Sequence, residues 1–381
     1  MDITKRLNGQ NIFLFLFLII FPFGQIIRIG IIQPIDVVVG LAALYSILYK
    51  LEKPKIFKTF KNTFFVFLFT FVFSIFMFWD KNLYLGLLYL FRLISYFYFL
   101  IYIWNFAKTK KNKELLINSL FLISISSAIF GWIQFFTIPD LRAFFTWGWD
   151  EHLFRLVGTF LDPTFLGLII VFGLLVTMHQ YIIQGKKSYY GIAMFLLISL
   201  AFTYSRASYL AFLAGASYLF SIKKKIGYIL YPIIILSFLI FMLPTSRNPT
   251  IEVFRKFSAV ARIENYKETI EVFKSSPLFG VGYNNMCLAR QKFIGIESFS
   301  SHACSGSDSS LLFVLATTGI IGFSSFIYLL VIVWRQSNDI FKILGVSVII
   351  HSLFSNSLFY PWVMGYLIII FTVNLGRETQ N

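Results

Sequence analysis

Apolar residues in this chain come in twelve long runs, at about 12–24, 26–48, 62–79, 83–106, 115–137, 157–184, 188–204, 207–222, 226–243, 309–334, 339–357 and 359–375. Crossing a hydrocarbon layer of about 30 Å takes about 20 apolar residues of helix. A soluble fold has no interior large enough for twelve such stretches. The composition agrees: of 381 residues 58% are hydrophobic, 13% are charged and 48 are Phe. The expected fold class is therefore all-α, a polytopic integral membrane protein of roughly 12 transmembrane helices in a single transmembrane domain over 1–381. The first run begins where a signal peptide would, but no small-residue cleavage site follows it, so a retained helix is expected.

The formal charge of +16 does not call for a nucleic-acid partner. Its lysines sit in short connections between the runs: Lys50, Lys53, Lys55, Lys58 and Lys61, then Lys108 to Lys113, Lys186 and Lys187, Lys223 to Lys225, and Lys342. These groups fall on alternate connections. The positive-inside rule then sets both termini in the cytoplasm. Two long connections lie on the opposite, outer face, one from about Thr137 to Arg155 and one over 244–307. Within the second, Ile263, Tyr266, Ile270 and Phe273 recur at helical spacing and predict a short amphipathic helix. Pro277, Gly280 and Gly282 then end it. The two cysteines, Cys287 and Cys304, share this loop. Their spacing fits either an intraloop disulfide or two free thiols.

Several chemistries have no residues here to carry them. There is no phosphate loop of the GxxxxGK[ST] kind, no HExxH, no paired CxxC and no GxSxG elbow. ATP-driven transport, zinc proteolysis and acyl hydrolysis are set aside. No cofactor or metal is expected. What stands out is arginine. Arg155 opens the sixth run, Arg206 lies in the tight turn between the seventh and eighth, and Arg262 begins the loop helix. Arg92 lies inside the fourth run near mid-depth, where an unpartnered charge costs several kcal/mol. Its bland reading is a structural tie to a carboxylate or a helix end. For the outer three the bland reading is snorkelling to the interface. Arginine binds phosphate oxygens bidentately and stays charged, so these residues fit an outward-opening cavity for an anionic lipid headgroup.

Four stretches taken together resemble the O-antigen ligase/O-antigen polymerase superfamily of bacterial membrane glycosyltransferases. They are RLVGTFLDPTFLG (155–167), TYSRASYLAFL (203–213), ARIENYKETIEVFKSSPLFGVGYNN (261–285) and DSSLLFVLATTGIIG (308–322). Their order and the long loop also match, so the resemblance covers 155–322. It implies transfer of a glycan from a polyprenyl-pyrophosphate-linked oligosaccharide to the hydroxyl of a glycan or lipid-linked acceptor. The place implied is the outer face of the bacterial inner membrane. It also implies work among membrane lipids, with a chain-length regulator and a flippase as candidate protein partners. By position, Arg155, Arg206 and Arg262 would bind the pyrophosphate, and a general base would take the acceptor proton; Arg92, outside the resemblance, joins them as a candidate because of its charge within an apolar run.

That base is where the sequence departs from the pattern. Ligases of this family carry a His about eleven residues before the Gly of the TGIIG-like ending. Here Asp308 holds that place, and His302 lies six residues earlier. Polymerase-type members resemble this better, so a polymerase is favoured over a ligase acting on a lipid A-core acceptor. Asp308 is also well placed simply to cap the helix that follows it, and His302 simply to be solvated. Two other readings stand beside this one. A shape-and-division type peptidoglycan polymerase shares the many-span architecture. A flippase or transporter of lipid-linked sugars would also use arginine in a cavity, but related halves would be expected, and no internal repeat is present.

Overall fold

A computed structural model describes residues 3–28, 32–75, 79–224, 227–243, 256–283, 285–295, 304, 306–373 and 375. His302 lies outside the described residues. A helix falls on each of the twelve apolar runs. These are α1 (Ile3–Ile20), α2 (Pro34–Leu48), α3 (Lys55–Ile75), α4 (Trp79–Phe106), α5 (Lys110–Thr137), α6 (Pro163–Gln184), α7 (Ser188–Phe202), α8 (Arg206–Lys223), α9 (Gly227–Met242), α12 (Ser310–Arg335), α13 (Asp339–His351) and α14 (Pro361–Thr372). Between α9 and α12 the long loop carries α10 (Lys256–Ser275) and α11 (Met286–Ile294). Among the described residues the β structure is one isolated bridge, Asp140 with Leu153.

The caps explain many of these boundaries. Thr109, Asp162, Ser205, Ser309 and Asn338 each accept a backbone N–H at the start of the following helix, the preferred chemistry for that place. Pro34, Pro163 and Pro361 occupy first helical positions, where the missing N–H costs nothing. The helices approach closely through small residues. A Cβ on Gly167 would come within 2.4 Å of Ser208, one on Gly173 within 2.3 Å of Ser124, and one on Gly215 within 2.1 Å of Ser347.

Among the described residues four helices are long and apolar enough to cross a membrane: Gly86–Phe106 within α4, α5, α6 and α12. Others are distinctly short. The helices α2, α7, α13 and α14 have 15, 15, 13 and 12 residues, about 18–23 Å at 1.5 Å per residue. All four stop at the end away from the lysine-bearing connections. Irregular backbone follows them there, and hydrogen bonds tie it to neighbouring elements. Gln25 N donates to Thr159 O at 2.8 Å and Leu156 N to Phe202 O at 2.9 Å. Gln134 Oε1 accepts from Val157 N and Gly158 N at 2.9 and 3.0 Å.

Two sequence expectations need correcting. Arg155 does not open the sixth helix. Gly158 holds φ +61° and the helix waits for the Asp162 cap and Pro163, so Arg155 sits in irregular chain eight residues earlier. On α10, Ile263 and Ile270 are 53% and 39% exposed and do not form the packed face. Tyr266 and Phe273 do pack, joined by Asn265, Thr269 and the fully buried Val272, so hydrogen bonds and apolar burial together dock this helix.

Candidate active site

The turn between α7 and α8 is the first component. Tyr204 takes φ +50°, and Ser205 then starts α8 by accepting from Ser208 N at 3.3 Å. The buried Arg155 holds this turn from below. Its Nε and Nη2 donate to Thr203 O at 3.0 and 2.9 Å, and Nη2 reaches Tyr204 O at 3.2 Å. A guanidinium on the last carbonyls of α7 is also matched to the negative end of that helix. Arg155 therefore fixes where Arg206 stands. Arg206, the first residue of α8 and half-buried, projects from a helix N-terminus, a place suited to anions.

The second component is α10. Arg262, Asn265, Tyr266 and Thr269 fall on one face at helical spacing. Tyr266 Oη donates to Leu353 O, beyond the end of α13. Arg262 lies over the Phe354 ring, 5.8 Å from its centroid. Asn265 Oδ1 accepts from Asp308 N at 2.9 Å and from Ser307 Oγ at 3.3 Å, and Thr269 Oγ1 donates to Ser307 Oγ at 3.0 Å. These bonds hold Arg262 close enough to Arg206 for the two guanidinium groups to repel one another. Burial acts on Arg206 first, and the charge of Arg262 second. Two cations held together in this way are arranged for an anion that reaches both.

Asp308 completes the group. Ser309, not Asp308, caps α12, accepting from Leu312 N at 3.4 Å. Capping therefore does not account for the Asp308 carboxyl, which is left facing Arg262 and Arg290. Burial pushes this carboxyl above the ordinary aspartate range; Arg262 and then Arg290 pull it back, while Asp150 and Asp162 push it further up. Beside it, Arg290 Nη1 donates to Cys304 O at 2.7 Å, and its Nε pairs with Glu268 at 3.2 Å. Cys287 and Cys304 are disulfide-bonded, with Cα atoms 5.0 Å apart. The bond ties α11 to the strand of chain that delivers Asp308. Replacing Cys287 by Ser is expected to destabilise this loop by about 2–4 kcal/mol. Limited proteolysis would then cut within the loop at lower protease than in the parent, and equal cleavage would show that the bridge does not hold it.

Arg92 is placed elsewhere. It pairs with Asp36 and lies over the Tyr89 ring at 4.9 Å. It stands at the middle of the 28-residue α4. Asp36 was legible as the lone acid in the run 26–48. His351 is a buried residue that sequence reasoning passed over. Its Nδ1 lies 2.5 Å from Ser357 Oγ and its Nε2 3.1 Å from Thr164 O, so it ties the end of α13 to the start of α6.

Residues 191–327 match the family model described as O-antigen ligase. Over this stretch the chain is similar to the O-antigen ligase family. The match covers under half of the chain, from within α7 into α12, and it contains Arg206, Arg262 and Asp308 but not Arg155 or Arg92. Members of the O-antigen ligase family are glycosyltransferase-like ligases and polymerases. No curated protein matches the chain.

Proposed function

We propose that this protein transfers a glycan from a polyprenyl-pyrophosphate donor to an acceptor hydroxyl, as a polymerase. Support for the reading comes from Arg206 at the start of α8, within range of the charge of Arg262 on α10, and from Arg262 acting in turn on Asp308. In the reaction the acceptor O–H gives its proton to Asp308 as its oxygen bonds to the anomeric carbon. The bond from that carbon to the pyrophosphate oxygen breaks, and the pyrophosphate leaves with the electron pair. Arg206 and Arg262 offset the charge that develops there, with donors fixed before the reaction begins. Arg155 acts at one remove, by holding the turn that bears Arg206. Asp308 at the position where ligases carry His favours polymerisation.

The finer topology belongs to the same reading. The twelve apolar helices are taken as crossings of the bacterial inner membrane, with both termini cytoplasmic and the site facing the periplasm or cell exterior. The lysine connections support it, since they lie opposite the short helix ends that surround the site.

The test is to replace Arg206 and Arg262 singly by Lys, which keeps the charge but loses the fork, and to measure surface-polymer length in cells. Each variant should shift the distribution toward single repeat units. An unchanged distribution for both would falsify the pyrophosphate clamp. Deleting the gene separates the two enzyme classes. Single units still joined to the terminal acceptor mean polymerase; unattached lipid-linked polymer means ligase.

A further inference from the structure

Arg290 on α11 takes no part in the reaction described above, yet it is only 4% exposed. A charge is costly to bury unless it is paired and hydrogen-bonded, and the partners of Arg290 lie on two other segments. Its Nη1 donates to Cys304 O at 2.7 Å, and its Nε lies 3.2 Å from a carboxylate oxygen of Glu268 on α10. One side chain therefore joins α11, α10 and Cys304, four residues before Asp308.

The surrounding bonds say what this joint does. Glu268 stands on α10 between Asn265 and Thr269, which hold Asp308 N and Ser307 Oγ. Arg290 holds the same chain at Cys304, so the approach to Asp308 is fixed at both ends. The helix that bears Arg290 is itself anchored. Asn285 Nδ2 donates to Val281 O at 3.0 Å, Val281 N donates to Ala316 O of α12 at 3.0 Å, and Met286 and Ala289 are fully buried. The pair also carries charge to this place. Asp308 interacts with Arg262 and Tyr266 of α10, Arg290 of α11, Asp150 of the outer connection and Asp162 at the α6 cap. A cation favours the ionised carboxyl and an anion opposes it, so Glu268 offsets part of the pull of Arg290.

We propose that Arg290 and Glu268 form a positioning pair for Asp308. The guanidinium holds Cys304 and with it the placement of the Asp308 carboxyl, while Glu268 orients the guanidinium and moderates its charge. The inference rests on the reading of Asp308 as the base and extends it to the residues that set that base in place.

The test uses the full-length protein in lipid nanodiscs and the producing cell's own polyprenyl-pyrophosphate-linked oligosaccharide, with initial rates followed across the acidic range. Arg290→Gln removes a cation and leaves Glu268 uncompensated, so the acidic limb should move to higher pH by about one unit. Glu268→Gln leaves Arg290 unopposed, so the limb should move to lower pH. A tie with a structural role alone would be broken alike by both changes. Arg290→Lys keeps the charge but loses the fork; kcat should fall about tenfold, with KM and the limb unchanged. Shifts in one direction for both members of the pair, or no shift for either, overturn the proposal. So does a parent kcat in both Arg290 variants. Should Arg290→Gln not fold, Glu268→Gln decides, and an unmoved limb there counts against the pair. If Asp308→Asn transfers glycan at the parent rate, the base reading fails by itself. The infrared carboxyl band lost in Asp308→Asn then reports the ionisation of Asp308 directly: opposite shifts of its midpoint in Arg290→Gln and Glu268→Gln keep the pair, and equal midpoints remove it.

Discussion

Replacing Asp308 by Asn is expected to lower the rate of glycan transfer by about 10²–10⁴-fold, the weight of a positioned general base. The substitution keeps the shape and leaves the Ser309 cap and the Asn265 bond to the Asp308 backbone in place. A loss of rate with an unchanged fold therefore reports the carboxylate. The pH dependence has a defined sign. Asp308 works as a base only when ionised, and burial together with Asp150 and Asp162 raises its proton affinity. The rate should fall as pH drops through a value above the ordinary aspartate range. Arg262→Gln removes the main charge opposing that rise, so the acidic limb should move to higher pH. Asp150→Asn removes a charge supporting it, so the limb should move to lower pH. Initial rates across the acidic range check both. Shifts in the opposite directions, or a normal rate for Asp308→Asn, would assign the proton transfer to another group.

How the sequence misled is as informative as where it served. The apolar runs located all twelve of the corresponding helices, because periodic burial needs no tertiary information. Their lengths were not legible. The run 339–357 reads as one continuous stretch, but its helix ends at His351, where Ser352 O accepts from Ser310 N of a distant helix. That long-range bond leaves no local trace. The same holds at the start of α12. Asp308 and Ser309 are both competent caps, and only the pull of Asn265 on the Asp308 backbone decides which one turns inward. Arg92 pairs with a carboxylate, its bland reading, and that partner, Asp36, lies 56 residues away. On α10 the error came from trusting apolar spacing. Ile263 and Ile270 are exposed, while Arg262, Asn265, Tyr266 and Thr269 carry the polar contacts and Val272 with Phe273 the apolar ones.

Gly319→Ala is expected to be the most damaging single change in the half of the protein that holds Asp308. The residue holds φ +64° and ψ −171° inside α12, a region essentially reserved for glycine. A Cβ there would lie 2.3 Å from the backbone of Leu278. Its counterpart Gly280, at φ +72°, would place a Cβ 2.3 Å from the backbone of Thr317. The two glycines let the FGVG turn enter the break in α12, and the broken helix finds its hydrogen bonds there. Val281 N and Gly282 N donate to Ala316 O and Thr317 O at 3.0 and 2.9 Å, and Ile320 N donates to Pro277 O at 2.9 Å. A methyl group on either glycine forces this joint open. The conformational cost is about 1–2 kcal/mol, and the backbone clash adds about 1–3 kcal/mol. Asp308 lies eleven residues from Gly319, so a small change of angle at the joint moves the carboxyl away from Arg262. Gly295 provides the comparison, since it too has positive φ, +76°, but a Cβ there meets nothing within 4 Å. Gly295→Ala should cost only the conformational part and keep activity. Gly319→Ala and Gly280→Ala should each lower the unfolding midpoint in detergent further and abolish transfer. Equal midpoints for Gly295→Ala and Gly319→Ala would mean that the turn does not lock the kink.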